Sequence, residues 1–186
     1  MVESVGRVFV AVAPPAEVRA AVTTHVSALA LPTPSVPPQN LHITLRFLGS
    51  IDGVSFDRLV AGLDEAVLPA PFRLEVGSLG AFPSPRNATV AWLAVEDGSG
   101  ALHRLWEAVD DVCVQVGFGR EERPFRPHLT VARLRPPQDL RTLIASAPPF
   151  SARFRVDALT VFRSDAGPGA PRYHPLERFP LAGGSR

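Results

Sequence analysis

The sequence predicts a two-lobed domain of mixed strands and helices, duplicated around a pseudo-twofold axis. The same order of strand-like and helix-like segments occurs twice within 186 residues, of which 46% are hydrophobic. A His-apolar-Thr-apolar motif occurs at the equivalent position of each half, at 42–45 (HITL) and 128–131 (HLTV), and the two histidines are 86 residues apart. Two copies are too few for a solenoid, so we expect the halves to face each other.

The first half alternates β-branched apolar runs with segments whose apolar residues recur every three or four positions. A proline pair is tolerated in the first turn of a helix, whereas four prolines in ten residues require an extended loop. The predicted order is a strand over 7–13, a helix from Pro14 to Leu29, a proline loop over 31–40, a strand over 41–48, a helix over 54–67 and a strand over 72–82.

The second half repeats this order and adds one strand at the end. The predicted elements are a strand over 88–95, a helix over 101–116, a loop over 117–127, a strand over 128–134, a helix over 136–147, a strand over 154–162 and a last strand around 173–181. We therefore divide a single domain, 1–186, into interleaved repeats of about 5–83 and 87–163, followed by a C-terminal strand over 170–182.

Composition excludes several function classes. All 19 basic side chains are arginine, which excludes a Walker-A loop, a Schiff base, a Ser-x-x-Lys nucleophile and a lysyl–AMP intermediate. Cys113 is the only cysteine, so an intrachain disulfide is impossible, and a net charge of +1 is too balanced for strong nonspecific binding to nucleic acid. Because no membrane span or signal peptide is visible, we expect a soluble cytoplasmic protein without a membrane partner.

The repeated motif suits acid–base chemistry. Side chains two apart on a strand share a face, so His42 lies beside Thr44, and His128 lies beside Thr130. Opening or closing a phosphodiester ring needs one group to deprotonate the attacking oxygen and another to protonate the leaving oxygen. Two imidazoles with an ordinary pKa of about 6.5 can share these roles near neutral pH. This chemistry needs no metal, and the sequence offers no obvious cluster of metal ligands.

The segments around both histidines resemble the signatures of the two-histidine (2H) phosphoesterases. Residues 37–49 (PPQNLHITLRFLG) resemble the first signature and residues 126–133 (RPHLTVAR) resemble the second. Residues 7–12 (RVFVAV), 82–86 (FPSPR) and 172–176 (RYHPL) extend the similarity over nearly the whole chain. The branch most similar to this sequence is the RNA 2′,3′-cyclic phosphodiesterases, also called the 2′-5′ RNA ligase family.

This resemblance implies an α+β fold in which each lobe is a mainly antiparallel sheet with helices outside, and the active-site groove lies between the lobes. It implies hydrolysis of a ribose 2′,3′-cyclic phosphate to the 2′-phosphate without metal or cofactor. His42 would be the general acid toward the departing 3′ oxygen, His128 would activate water, and Thr44 and Thr130 would hold the phosphate. The substrates would be RNA 3′ ends or nucleotides bearing the cyclic phosphate, and we expect a monomer.

Two arginines are candidates for balancing the charge of the phosphate. Arg133 matches a catalytic arginine of the second signature, but strict alternation places it on the face opposite His128. A bulge, a strand end or a curled side chain would have to bring it back. Arg46 lies four residues after His42, and alternation therefore places it on the catalytic face.

Phe82 and Tyr173 are candidates for contact with a nucleotide, because aromatic rings stack on bases. Phe47 is a third aromatic residue of this kind, although alternation places it opposite His42. Arg163 stands where relatives usually carry an acidic residue before the serine, a departure that bears on substrate preference.

The same acid–base pair leaves other substrates open. The substrate could be a cyclic phosphate of ADP-ribose or a 2′-5′-linked oligonucleotide. The pair could also catalyse the reverse reaction, 2′-5′ ligation of RNA. A noncatalytic module that binds RNA ends is an alternative of a different class. Retention of both histidines favours the enzyme, because a pure binder needs no pair of groups that titrate near pH 7.

Overall fold

The described residues form two four-stranded antiparallel sheets and four α-helices. The computed structural model describes residues 4–167 and 170–181. In chain order the elements are β1 (Ser4–Val12), α1 (Ala16–Ala28), β2 (Ile43–Asp52), α2 (Gly53–Glu65), β3 (Phe72–Phe82), β4 (Ala88–Glu96), α3 (Ala101–Gln115), β5 (His128–Gln138), α4 (Arg141–Ser146), β6 (Ala152–Val156), β7 (Ala158–Asp165) and β8 (Arg172–Pro180).

Each half of the chain contributes strands to both sheets. The strand order is β2-β1-β7-β8 in the first sheet and β5-β4-β3-β6 in the second, and every pairing is antiparallel. The first half builds β1 and β2 into one sheet and sends β3 into the other, and the second half sends β7 back. The predicted α+β fold with antiparallel sheets is therefore confirmed, and both sheets and their helices share one continuous core.

Two predicted elements differ from the structure, and one predicted boundary is not covered by it. The strand predicted over 154–162 is two strands in different sheets, because the buried positions change phase at Asp157, from Phe154 and Val156 to Leu159 and Val161. The helix predicted over 136–147 is only Arg141–Ser146, because residues 136–138 continue β5, an edge strand that tolerates proline. The predicted strand end at 182 lies outside the described residues.

In the described part of the chain, no helix has the length and apolar character needed to span a membrane.

Both histidine strands carry the same β-bulge one residue after the threonine. In β2, Thr44 pairs with Ala11 and Arg46 pairs with Val10, so Leu45 is the extra residue. In β5 the corresponding extra residue is Val131, since Thr130 pairs with Trp92 and Ala132 pairs with Ala91. A bulge reverses the facing of the residues that follow it. It therefore turns Arg46 and Ala132 toward the core, and Phe47 and Arg133 toward the open face.

The prediction that Arg46 shares the face of His42 is wrong, and the bulge is the reason. Arg46 is only 8% exposed. Its Nη1 donates to Glu121 Oε2 at 2.9 Å, its Nη2 donates to the Gly119 carbonyl, and its Nε lies 3.3 Å from Asp110 Oδ1. The side chain thus joins β2 to α3 and to the loop that precedes His128.

The loop that precedes each histidine contacts the bulged strand of the opposite half. The loop before His42 lies against β5, where the Val36 N–H donates to the Val131 carbonyl at 2.7 Å and Ser35 forms a bridge with Ala132. The loop before His128 reaches β2 in the corresponding way, through the contacts of Arg46. Each histidine strand is therefore anchored to the loop that leads into the other histidine.

We expect Arg46→Met to lower the free energy of unfolding by about 3 kcal/mol, because removing one partner leaves the buried Asp110 carboxylate undercompensated. Urea denaturation followed by circular dichroism measures the change. The matched control is Arg153→Met, which removes an exposed pair with Glu75 and should leave the midpoint almost unchanged. Equal midpoints for the two variants would contradict the role of Arg46.

Candidate active site

His42 lies immediately before β2 and is held by the backbone of its own loop. Its Nδ1 is 2.7 Å from the Asn40 carbonyl oxygen. The ring is partly buried and packs against Phe9 and Tyr173, with ring centroids 4.8 and 5.1 Å away. The Asn40 side chain in turn donates to the Pro171 carbonyl at 2.6 Å, which ties this loop to the start of β8.

His128 is the first residue of β5 and repeats this arrangement in the second sheet. Its Nδ1 is 2.7 Å from the Arg126 carbonyl oxygen, again two residues upstream. Its ring packs edge-on against Phe82 at 5.0 Å, and Trp92 lies 6.4 Å away. The Trp92 indole lies directly over Gly80, where a Cβ would overlap the ring.

The backbone contacts determine which nitrogen of each imidazole is available for chemistry. A carbonyl oxygen can only accept, so Nδ1 donates its proton in both His42 and His128. In the neutral ring Nε2 is then the unprotonated nitrogen, able to accept a proton, and in the charged ring it is the donor. Both histidines therefore present the same atom for proton transfer.

The first sheet is curled around His42. Tyr173 is on β8 and His42 precedes β2, which are strands at opposite edges of that sheet. Their rings nevertheless meet at 5.1 Å, and both contact Phe9 of β1. The open face of the sheet is therefore concave, and its aromatic lining fixes the His42 ring from two sides.

The strand register determines which face of the sheet the two threonines and Arg133 occupy. Thr44 and Thr130 are partly exposed and lie two positions after their histidines, before the bulge can reverse the facing. Arg133 pairs with Val90 beyond the Val131 bulge and is exposed. Of the three ways in which Arg133 could return to the face of His128, which were a bulge, a strand end or a curled side chain, the structure shows the bulge.

The pKa values of the two histidines depend on burial and on the charge of Arg133. Burial lowers the pKa of His42 below its ordinary value, and the positive charges of Arg133 and His128 lower it further, against the opposing effect of the Asn40 carbonyl. Burial also lowers the pKa of His128, and Arg133 adds to this while the Arg126 carbonyl opposes it. Because Arg133 acts on both histidines, the three groups form one electrostatic centre, in which a bound anion would favour the protonated imidazoles.

Tyr173 adjoins this centre, and burial raises the pKa of its hydroxyl, partly offset by the charges of Arg133 and Arg7. A cavity of about 340 Å³ lies beside it, between the loop before His42 and the start of β8. Gln39, Asn40, Arg172 and Tyr173 are among its lining residues. This space can accept a polar group next to His42.

The predicted aromatic residues lie beside the histidines, whereas the facing predicted for Phe47 is wrong. Phe82, at the end of β3, contacts His128, and Tyr173 contacts His42. Phe47 was predicted to face away from His42, but it is 45% exposed on the open face. Arg163, whose bearing on substrate preference stays a prediction, pairs with Val8 in the strand register and binds Asp165 at 3.0 Å.

Sequence reasoning missed Phe9, Trp92 and Arg7 as parts of the open face. Phe9 and Trp92 sit within apolar runs and look like ordinary core residues until the register is known. Within residues 4–167 and 170–181, no group of three or more histidine, cysteine or acidic side chains is placed to hold a metal ion.

Comparison with known proteins places the chain in a family. The family model described as the 2′-5′ RNA ligase superfamily matches residues 12–168. The RNA 2′,3′-cyclic phosphodiesterase of Thermus thermophilus is 36% identical over 190 residues, which cover 95% of this chain and 91% of that protein. A protein of the same name from Aeropyrum pernix is 34% identical over 117 residues, and this match spans 61% of the chain and 64% of that protein.

A solved structure agrees with this assignment. The crystal structure of Escherichia coli LigT complexed with 3′-AMP superposes with a TM-score of 0.80 at 27% identity, covering 95% of this chain and 98% of that one. The sequence match to the family extends over most of the chain, and the fold matches over nearly all of it. The chain therefore belongs to the 2′-5′ RNA ligase superfamily.

Proposed function

We propose that this protein hydrolyses a ribose 2′,3′-cyclic phosphate to the 2′-phosphate, without metal or cofactor, acting on RNA 3′ ends or nucleotides. One observation carries the proposal. Two histidines with identically anchored Nδ1 atoms stand on two bulged strands, and both sense the charge of Arg133. The relatives from Thermus thermophilus and Aeropyrum pernix are named RNA 2′,3′-cyclic phosphodiesterases, which supports the same chemistry here.

In this reaction water attacks phosphorus while the bond to the 3′ oxygen breaks. Neutral His128 takes the proton of the water at Nε2, and protonated His42 delivers a proton from Nε2 to the departing 3′ oxygen. Each group contributes about 10²–10⁴ to the rate. The roles follow the family resemblance, and the shared Nδ1 anchoring supports them because it leaves both Nε2 atoms free.

The phosphate gains negative charge in the transition state. Arg133 balances that charge, and the hydroxyls of Thr44 and Thr130 donate to the nonbridging oxygens. Their strand positions support this assignment, since all three lie on the open faces beside the histidines. In 2′-5′ ligation, the reverse of cleaving a 2′-5′ bond, a 5′-hydroxyl replaces water as the nucleophile and the 3′ oxygen leaves; the same acid and base serve, but water in excess favours hydrolysis.

The same site could open a cyclic phosphate of ADP-ribose or cleave a 2′-5′-linked oligonucleotide. A noncatalytic module that only binds RNA ends is less well supported. Such a module needs positive charge but no proton transfer. It would not need two imidazoles that are both held through Nδ1 and both expose Nε2.

We expect His42→Ala and His128→Ala each to reduce kcat at least a hundredfold on a nucleoside 2′,3′-cyclic phosphate, because each removes one proton transfer. Incubation without metal or ATP, followed by end-group analysis, should show a 2′-monophosphate for the unaltered protein, and EDTA should not slow the reaction. The matched control is His103→Ala, an exposed histidine on α3 that pairs with Glu107. Full activity in either site variant would overturn the proposal.

We expect a bell-shaped pH dependence of kcat/KM whose limbs lie below the ordinary imidazole pKa, because burial and Arg133 lower the pKa of both rings. The limbs belong to the coupled pair and not to single residues. Arg133→Met removes a positive charge, so both pKa values rise and the remaining activity should peak at higher pH. A profile that does not move in this variant would contradict the electrostatic role of Arg133.

A further inference from the structure

The open face of the first sheet carries an arginine–aromatic pair that the proposed reaction does not use. Phe47 is 45% exposed, and the Arg7 guanidinium carbon lies 5.3 Å from the centroid of its ring. This distance is within the range of a cation–π contact. The pair therefore presents a flat apolar ring and a fixed positive charge together on one surface.

Arg7 is exposed and has no carboxylate partner within the described ranges 4–167 and 170–181. Three exposed arginines elsewhere are neutralised in this way: Arg153 binds Glu75, Arg141 binds Asp139 and Arg178 binds Asp157, at 2.7–2.8 Å. The Arg7 guanidinium thus keeps donors available for an anion. Phosphate is well suited to it, since the planar guanidinium can donate two parallel hydrogen bonds to its oxygens.

The pair is continuous with the site around His42. Phe47 is the strand partner of Phe9, whose ring packs on both His42 and Tyr173. The positive charge of Arg7 also acts on the Tyr173 hydroxyl. A substrate held at His42 can therefore extend over the same sheet to Arg7 and Phe47.

We propose that Arg7 and Phe47 form a subsite for the nucleotide that precedes the terminal one in single-stranded RNA. Arg7 binds the phosphodiester that joins the two nucleotides, and Phe47 stacks on the preceding base. Stacking on an aromatic ring is tolerant of sequence, because every base has a π-face. The inference rests on the proposed function and adds a subsite, through which oligonucleotide ends are preferred to mononucleotides.

The test compares two substrates that share their terminal nucleotide, a nucleoside 2′,3′-cyclic phosphate and a dinucleotide ending in the same cyclic phosphate. The dinucleotide adds one phosphodiester and one base. The measured quantity is the ratio of the two kcat/KM values on one enzyme preparation, so the fraction of folded enzyme cancels. We expect the unaltered protein to favour the dinucleotide.

Arg7→Met should reduce this ratio about tenfold, since it removes a charge-assisted hydrogen bond to phosphate. Phe47→Leu keeps apolar volume but removes the stacking surface, and it should reduce the ratio about fivefold to tenfold. The matched control is Arg155→Met, which removes an exposed arginine on β6, at the far edge of the other sheet. This control should leave the ratio unchanged.

The outcomes separate the two proposals. If neither substrate is hydrolysed by the unaltered protein, the proposed function fails and the subsite fails with it. If both are hydrolysed and Arg7→Met and Phe47→Leu keep the unaltered ratio, the function stands and the subsite is overturned. Arg7→Lys retains the charge and should recover part of the lost ratio, as expected for a phosphate contact.

Discussion

One extra residue in each histidine strand determines how the rest of the site is arranged. If the strands continued regularly through Leu45 and Val131, without a bulge, alternation would place Arg133 on the core side and Arg46 on the open side. The bulges exchange these positions. The buried guanidinium of Arg46 then pairs with carboxylates on the helical side, and the exposed one of Arg133 lowers the pKa of both imidazoles. Chemistry and stability in this fold thus depend on the same local feature of two edge strands, used once in each half.

The two halves hold their histidines in the same geometry, but they differ in the residues next to the histidines. Both imidazoles are anchored through Nδ1 to a carbonyl two residues upstream, so both expose Nε2. The residues that follow the two bulges are different, since Phe47 on β2 stands where β5 has Arg133. One lobe thereby offers a charge next to the histidines, and the other offers an aromatic surface. In the proposed reaction this difference separates binding of the phosphate from contact with the rest of the nucleic acid.

The lobes are connected at the same bulges. The loop before each histidine lies against the histidine strand of the opposite half, through a backbone hydrogen bond at Val131 and through the Arg46 side chain at β2. Because each loop also contains the carbonyl that anchors its own histidine, displacement of one lobe would be transmitted to both rings. The buried ion pairs of Arg46 are costly to form, and their placement between the lobes fits a role in fixing the relative position of the two rings.

The amino-acid sequence by itself determined the duplicated order of elements, the pairing of each histidine with a threonine and the family. These features are local, because period-two alternation and short motifs involve residues close in the chain. The facing of Arg46, Phe47 and Arg133 was decided by tertiary structure, since a bulge is defined only against the neighbouring strand. The division of 154–162 between two sheets and the meeting of Tyr173 with His42 were decided in the same way. Both depend on contacts between segments far apart in sequence, which no local pattern encodes.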